Sequence, residues 1–190
     1  MTRHAQFPKL KAAASSVDKP RHRAYLGLGS NLQQPQLQIQ HAVQALRQAP
    51  GLYVTAVSSL YQSAASDVTS IQPDYINAVV AIDTTLDPEV LLATTMRIEQ
   101  AQGRVRTHER NGARTIDIDV LLYDELQCHT SNLTLPHPRM HLRAFVLRPL
   151  AEIAPSAKVP GYGAAESLLQ GLSRESADDV RRVAGAPKWI

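Results

Sequence analysis

Two aspartates in the second half of the chain are the residues best suited to hold a metal ion. Asp117 and Asp119 lie in the run RTIDIDVLL, residues 114–122, which has the composition of a β-strand. Successive side chains of a strand point to opposite faces, so the two carboxylates share one face, roughly 6–7 Å apart. The other face is apolar: Ile116, Ile118, Val120 and Leu122. Two Mg²⁺ ions could bridge both carboxylates and a polyphosphate. The alternative, an exposed strand with ordinary surface aspartates, is equally compatible with the pair taken alone.

Four arginines come directly before this pair: Arg104, Arg106, Arg110 and Arg114. A guanidinium stays charged at any working pH, and its planar fork matches the oxygens of a phosphate group. A solvated basic loop is the usual alternative. The chain contains no GxxxxGK(S/T) phosphate loop and neither the DFG nor the HRD motif of protein kinases. The arginines and aspartates together therefore indicate magnesium-dependent nucleoside triphosphate chemistry on a different fold.

Three further residues are candidates for contacts with a substrate. His137 lies between two prolines in LPHPR, residues 135–139, and could donate a hydrogen bond to a phosphate oxygen. A surface histidine is an equally good reading of this segment alone. Tyr75 and Phe145 could stack on the two sides of a flat ligand, although packing in the core is the default for each.

Hydrophobic periodicity predicts the elements that must position these residues. Strands are predicted at 24–28, 52–61, 75–84 and 115–122. Helices are predicted from about residue 32 to Pro50 and from Asp87 to Gly103, with Pro88 at the first helical position. The order strand, helix, strand, strand, helix, strand predicts a ferredoxin-like α+β domain (βαββαβ), an antiparallel sheet with helices packed on it. Residues 124–140 are predicted to be loop, 166–172 a short helix, and the chain from Ser173 loose.

Charge and composition limit the classes of function. The chain of 190 residues is 44% hydrophobic and 19% charged, as expected of one globular domain, and no apolar run approaches the length of a membrane span. Residues 1–23 carry six Lys or Arg and one Asp, while residues 24–190 carry 14 basic and 16 acidic side chains, a net of −2. A body of this charge is a poor general binder of polyanions. Residues 1–23 lack the apolar region of a secretory signal and faintly resemble an organellar transit peptide. We expect a flexible basic extension.

Two rival functions stay open on this reasoning. An RNA-binding module would need aromatic residues spread over the sheet and a basic body, whereas Phe145 is the only phenylalanine of residues 24–190. A non-catalytic regulatory domain would have no need of an aspartate pair beside four arginines. The single cysteine, Cys128, excludes an internal disulfide and fits a reducing compartment. We therefore expect a cytoplasmic enzyme that acts on small molecules, with no nucleic-acid or membrane partner.

Several short motifs, in one order and spacing, match a known family. They are GSNL at 29–32, QPDYINA at 72–78, IE at 98–99 with GR at 103–104, Gly112 with RTIDID at 114–119, and LPH at 135–137 followed by Arg143, Phe145 and PL at 149–150. Together they resemble the 6-hydroxymethyl-7,8-dihydropterin pyrophosphokinases over roughly residues 24–163. The combination is far more specific than any one motif.

This resemblance implies a monomeric ferredoxin-like enzyme of folate biosynthesis. Its substrates would be ATP and 6-hydroxymethyl-7,8-dihydropterin, to whose hydroxymethyl group it would transfer pyrophosphate, releasing AMP. Asp117 and Asp119 would bind two Mg²⁺ ions, and Arg104 and Arg114 would assist catalysis. The implied pterin-binding residues are Ser63, Tyr75, Asn77 and Phe145. The implied ATP-binding residues are Glu99, Arg106, Arg110, Arg114, Thr134, His137 and Arg143.

The chain departs from the family pattern in two loops. Residues 111–115 read Asn-Gly-Ala-Arg-Thr where the family usually has Trp-Gly-Pro-Arg-Thr, so an aromatic anchor of the active-site loop is missing. We expect residues 104–114 to close over bound substrates, less firmly than usual. Residues 63–67 replace a Thr-x-Pro-x-Gly motif. The expected division is a basic extension at 1–23, a pyrophosphokinase domain at 24–172 and a polar tail at 173–190.

Overall fold

The structure, a computed structural model, describes residues 21–65, 72–104, 113–173 and 179–185. In chain order the elements are β1 (His22–Ser30), α1 (Pro35–Gln48), β2 (Leu52–Val57), β3 (Tyr61–Ser63), β4 (Tyr75–Thr84), α2 (Pro88–Ala101), β5 (Asp117–Tyr123), β6 (Cys128–His129), β7 (Thr134–Leu135), a 3₁₀ turn (Met140–Leu142), α3 (Ala144–Ile153), β8 (Lys158–Val159), β9 (Gly163–Ala164), α4 (Ala165–Gly171) and β10 (Arg181–Arg182). None of the helices in these ranges is long and apolar enough to cross a membrane.

One antiparallel sheet forms the frame of the molecule. The central strand β1 pairs with β4 along one side and with β5 along the other. The opposite edge of β4 pairs first with β3 and then with β2. With α1 joining β1 to β2 and α2 preceding β5, this is the βαββαβ ferredoxin-like arrangement. The predicted fold class is confirmed.

The sheet separates two apolar layers. On one face Leu26 of β1 packs in a cluster with Ile39 of α1 and Leu91 of α2. On the other face Val79 of β4 packs in a cluster with Val146 of α3. Removing an aliphatic side chain of this size from water stabilises the fold by about 1.5–3 kcal/mol. These two layers decide which face of each strand is turned toward α3, and the polar ends of β1, β4 and β5 on that face form the site described below.

Two irregularities correct the predicted strands. The predicted strand 52–61 is interrupted at Ser58, whose backbone N–H donates to the carbonyl of Val79 and whose Oγ accepts from the backbone N–H of Val79. In β5 the register with β1 shifts, and Leu121 and Leu122 both pack in the layer under α3. The prediction had placed Leu122 with the apolar residues of the opposite face. An extra residue in one strand of a pair reverses the alternation beyond it.

Three local predictions are corrected as well. Helix α1 begins at Pro35 instead of residue 32, because a proline suits the first helical turn. The predicted loop at 124–140 contains the β6–β7 hairpin and the 3₁₀ turn. The chain from Ser173 was expected to be loose, yet residues 181–182 pair with β3 and Val180 is 4% exposed. The buried Val180 holds this segment against the domain, although the polar composition of the segment gives no sign of such packing.

Gly51 provides a stability test of the turn between α1 and β2. Its φ is +79°, and a Cβ placed there would lie 2.8 Å from Cδ2 of Leu86. Gly103 has the same φ of +79°, but none of the described residues places an atom within 4 Å of such a Cβ. We expect Gly103→Ala to cost about 1–2 kcal/mol from the left-handed backbone alone. Gly51→Ala should cost about 1–3 kcal/mol more because of the overlap with Leu86. Urea titration of both variants measures the difference, and equal losses would show that the turn relaxes around the added methyl group.

Candidate active site

Two glycines of β1 leave a groove across the sheet. In the register of the strands, Gly29 lies between Asn77 of β4 and Asp117 of β5. Two residues earlier Gly27 pairs with Asp119 in the same way. A Cβ at Gly29 would lie 3.5 Å from Oδ1 of Asn77 and would fill part of the groove. The central strand therefore carries no side chain between the amide of Asn77 and the carboxylate of Asp117, while the side chain of Leu121 packs over Gly27.

The groove opens into a cavity of about 110 Å³. Two sets of residues line it, one apolar or aromatic and the other charged or polar. The first set includes Tyr75, Leu121, Phe145 and Val146, and the second includes Ser63, Asn77, Arg114, Asp117, Asp119, His137 and Arg143. Ligand pockets typically combine an apolar lining with a few convergent polar groups. This cavity suits a flat polar ring joined to, or lying beside, an anion.

Asp117 is the centre of the charged set. Its Oδ1 lies 2.5 Å from Nη1 of Arg104, and its Oδ2 contacts Nη1 of Arg114. The same nitrogen of Arg104 also contacts the carboxylate of Glu99. Arg104 and Arg114 stand at either end of the arginine-rich stretch, so that this one aspartate anchors both of its ends. Two carboxylates, of Asp117 and Glu99, and the guanidinium groups of Arg104 and Arg114 are thus in direct contact.

Asp119 and His137 have perturbed pKa values. Removal from water, followed by the negative charges of Asp117 and Glu99, raises the pKa of Asp119 to about 7, even though 46% of its side-chain surface is still accessible. Burial, followed by the charge of Arg143, lowers the pKa of His137 to about 4, so its imidazole is neutral at pH 7. The backbone N–H of His137 donates to the carbonyl of Leu121 at 2.9 Å, which holds the ring near β5. Its Nε2 is 3.8 Å from Oδ2 of Asp119, too far for a hydrogen bond.

Asn77 has a fixed orientation at the other side of the groove. Its Nδ2 donates to Oγ of Ser63 at 2.9 Å and to the carbonyl of Tyr61 at 3.4 Å. Only 5% of Asn77 is exposed. With Nδ2 engaged by β3, Oδ1 is the atom that can accept a hydrogen bond from a ligand in the groove. Phe145 lies in the first turn of α3, with the guanidinium of Arg143 5.4 Å from its ring centroid.

Ser30 and Asn31 connect the end of β1 to the two segments that enter the site. Oδ1 of Asn31 accepts from the backbone N–H of Arg114 at 2.8 Å, and Nδ2 of Asn31 donates to the carbonyl of Pro73 at 3.3 Å. Oγ of Ser30 donates to the carbonyl of Thr115 at 2.5 Å. The start of β5 and the start of β4 are thus tied to the same turn. Sequence reasoning assigned these two residues no such role.

The charged set has the chemistry of a magnesium site that shares its ions with a phosphate ligand. Among the described residues, no group of three or more His, Cys, Asp or Glu side chains could hold a metal ion by itself. Mg²⁺ is commonly held by one or two carboxylates together with substrate phosphates and water. Removal from water raises the pKa of Asp119 most, and the negative charges of Asp117 and Glu99 raise it further, so a cation beside Asp119 would offset both costs. The residues present fit the ion.

Comparison with known proteins identifies the family. A sequence model described as 7,8-dihydro-6-hydroxymethylpterin-pyrophosphokinase (HPPK) matches residues 25–155. The chain belongs to the HPPK family. It is 44% identical over 161 residues to a protein of Methylorubrum extorquens named 2-amino-4-hydroxy-6-hydroxymethyldihydropteridine pyrophosphokinase, covering 85% of this chain and 98% of that one. A protein of the same name from Pseudomonas aeruginosa is 42% identical over 164 residues, covering 86% and 98%. The suspected resemblance is confirmed, and the chain is a member of an enzyme family.

Solved structures agree on the fold. An HPPK-DHPS crystal structure in complex with substrates is 17% identical to the chain with a TM-score of 0.62, covering 80% of this chain and 43% of that one. A Plasmodium falciparum HPPK-DHPS with pterin and p-hydroxybenzoate is 14% identical with a TM-score of 0.67, covering 88% and 48%. The HPPK-family chain described here spans less than half of those two proteins. At these identities the comparison supports the fold alone.

The structure brings most of the expected site residues to one place. Nine of them line the cavity: Ser63, Tyr75, Asn77, Arg114, Asp117, Asp119, His137, Arg143 and Phe145. Arg104 adjoins it through Asp117. Glu99 lies behind Arg104, and Thr134 lies in the β6–β7 hairpin, where its Oγ1 is 2.8 Å from Nδ1 of His129. Arg106 and Arg110 lie outside the described residues. Of the loop expected to close, 104–114, the structure describes only residues 104, 113 and 114.

Sequence reasoning missed the role of Gly27 and Gly29. Two glycines at positions i and i+2 of an apolar strand share one face, and that spacing was the available signal. It indicates close approach of a ligand to the backbone, but which ligand depends on the neighbouring strands.

Proposed function

We propose that this HPPK-family chain catalyses the Mg²⁺-dependent transfer of a diphosphate group from ATP to the hydroxymethyl group of 6-hydroxymethyl-7,8-dihydropterin, with release of AMP, in folate biosynthesis. One observation carries the proposal: the groove at Gly29 joins the pocket formed by Tyr75, Asn77 and Phe145 to the aspartate–arginine cluster. A ring bound at the first would present its substituent to a phosphate chain held at the second. Residues 24–172 would form the catalytic domain.

The pterin would bind on the β4 side of the groove. Oδ1 of Asn77 would accept from an N–H of the ring, because Nδ2 is held by Ser63. Tyr75 and Phe145 line the same cavity and would pack on the two faces of the ring. This orientation selects a flat heterocycle that offers N–H donors at its edge.

ATP would bind on the β5 side. Asp117 and Asp119 would hold two Mg²⁺ ions, whose charge when bound offsets that of the triphosphate and of the departing AMP. Arg104, Arg114 and Arg143 would donate to phosphate oxygens, as would neutral His137 through one N–H. We extend the proposal to Arg106, Arg110 and Thr134 as nucleotide contacts on the family resemblance.

The reaction would be a single in-line displacement at the β-phosphorus of ATP. The hydroxymethyl oxygen forms a bond to that phosphorus, and the bond from the β-phosphorus to the oxygen bridging it to the α-phosphorus breaks. That oxygen leaves with AMP, and the proton of the hydroxyl group passes to solvent. Arg104 and Arg114 stabilise the charge that develops on the phosphate oxygens, which is the main catalytic contribution available to side chains here.

The decisive measurement is the nucleotide product. With ATP, Mg²⁺ and the hydroxymethyl-dihydropterin, we expect AMP and pterin diphosphate in equal amounts, and no AMP when the pterin or Mg²⁺ is omitted. ATP should raise the melting temperature only when Mg²⁺ is present. Formation of ADP instead of AMP would mean transfer of a single phosphoryl group and would overturn the proposal.

Phe145→Ala should weaken pterin binding selectively. Stacking beyond area burial is worth about 0.5–1.5 kcal/mol, which is a rise of about 2–13-fold in the pterin dissociation constant before lost burial is added. Binding of an ATP analogue with Mg²⁺ should change little, because the cluster at Asp117 is untouched. Calorimetry measures both constants, with Tyr53→Ala as the control, an aromatic residue of β2 that is 45% exposed and does not line the cavity. Weakened nucleotide binding with normal pterin binding would move Phe145 out of the pterin pocket.

A further inference from the structure

Glu99 is a buried carboxylate that stands behind the cavity and does not line it. It lies near the end of α2, and 4% of its side-chain surface is exposed. A carboxylate removed from water to this extent is destabilising unless donors surround it. Its Oε1 receives two of them, the backbone N–H of Ile118 at 2.7 Å and the guanidinium of Arg104. Both donors belong to groups that border the aspartate pair.

The first donor sets the position of the strand. Ile118 is the residue between Asp117 and Asp119, and β5 is an edge strand of the described sheet, pairing with β1 alone. In an antiparallel edge strand alternate N–H groups point away from the sheet and lack a strand partner. The carboxylate of Glu99 takes the place of that missing strand. It therefore holds the backbone at the midpoint between the two aspartates.

The second donor sets the position of the arginine. Nη1 of Arg104 contacts the carboxylate of Glu99 and Oδ1 of Asp117 at the same time. A cation bound at Asp117 would compete with Arg104 for that oxygen and repel its charge. Glu99 lies behind Arg104, further from the cavity than Asp117. It therefore keeps the guanidinium beside the cavity when the contact between Arg104 and Asp117 is lost. Without Glu99 the freed side chain would extend into solvent.

We propose that Glu99 is a positioning residue, which holds Arg104 and the centre of β5 in place for the transfer step and does not contact the nucleotide. This inference rests on the proposed function, and it departs from the expectation that Glu99 is an ATP contact. A residue that only orients catalytic groups affects turnover through them. Its loss should therefore change turnover more than substrate affinity.

A double-mutant cycle separates positioning from direct contact. Glu99→Gln keeps an oxygen for the N–H of Ile118 and removes the charge that holds Arg104. We expect it to lower kcat by about 10–100-fold, as is common for residues that orient groups around a metal site, with the KM for ATP within about threefold. In an Arg104→Ala background the same change should lower kcat by less than about twofold, because the group it positions is already gone. Glu99→Asp, which keeps the charge, should recover part of the loss.

The matched control is Asp124→Asn. Asp124 also accepts a backbone N–H from β1, that of Arg23 at 2.8 Å, and pairs with a basic side chain, His22, but it lies at the far end of β5. The kcat of the Asp124→Asn variant should equal that of the unmodified protein. Calorimetry with an ATP analogue and Mg²⁺ tests for direct contact. If Glu99→Gln weakens the affinity for the analogue, and weakens it by the same factor in the Arg104→Ala background, Glu99 contacts the nucleotide and the inference is overturned. A lower melting temperature with unchanged kcat would show a structural role only and would overturn it too.

The guanidinium of Arg104 gives a readout that does not depend on the reaction. In the ¹⁵N spectrum of the protein without substrates, the side-chain N–H signal of Arg104, assigned by its loss in Arg104→Ala, should be protected from exchange with water. Glu99→Gln should speed that exchange, and Asp124→Asn should not. If the unmodified protein releases no AMP, the proposed function fails while this measurement still decides the contact. Equal exchange in all three proteins would overturn the positioning role.

Discussion

Replacing Asp117 or Asp119 by asparagine should lower AMP release by more than about a hundredfold, since even the residues that merely orient metal ligands are worth about 10–100-fold. Both carboxylates lie on one face of β5, Asp117 opposite Gly29 and Asp119 opposite Gly27, where a triphosphate would lie over the groove. Asparagine keeps the shape and removes the charge that a magnesium ion requires. Steady-state assays at saturating substrates measure the loss. Asp83→Asn, at an exposed ion pair with Arg23, is the control and should have normal activity.

The two variants should differ in stability, which separates loss of function from loss of fold. Asp119 has a raised pKa, so without metal the native state binds more protons than the unfolded state between pH 3.8 and about 7. The free energy of unfolding therefore falls as the pH rises through that window, and Asp119→Asn should remove the fall. Asp117→Asn leaves Arg104 and Arg114 without their shared carboxylate and should lower the melting temperature. Near-normal AMP release in both folded variants would refute the metal site.

A side chain at Gly29 should block the pterin pocket. The Cβ of Gly29→Ala would stand 3.5 Å from Oδ1 of Asn77 and 3.9 Å from Cδ1 of Tyr75, which are ordinary contact distances, so the protein should fold. The same methyl group occupies space in the groove that the ring would use. One methyl group in a well-fitted pocket changes selectivity by about 10–200-fold, and we expect a loss of that order in kcat/KM for the pterin. Gly29→Val should lose more.

Gly27→Ala is the matched comparison for Gly29→Ala. Its Cβ would meet Leu121 at 3.2 Å, so the added methyl group displaces the tip of a flexible side chain before it reaches a ligand. We expect a smaller loss of kcat/KM for the pterin than in Gly29→Ala and a similar melting temperature. Calorimetry of pterin binding to both variants tests the order. Equal, small effects at both positions would show that the ring does not lie over Gly29.

Local patterns were enough for the part of the site that one strand or one motif contains. Asp117 and Asp119 share a face because side chains alternate along any strand, a property that needs no partner. The start of α2 followed from Asp87 and Pro88, and the element order implied the ferredoxin-like sheet. The motif resemblance located nine residues that do line one cavity. These results depend on short-range geometry and on combinations of motifs, both of which a sequence carries.

Tertiary structure decided how those pieces meet. Gly29 lies between Asn77 and Asp117 because β1, β4 and β5 pair in one particular register. No local sequence pattern contains that register. The register is set by the two apolar layers, because a shift of one residue would turn the buried side of each strand outward. The same packing puts Glu99 beside Ile118 and returns Val180 to the sheet. Each of these contacts joins residues whose sequence neighbours give no sign of the partner, since burial and register belong to the assembled sheet and not to any one strand.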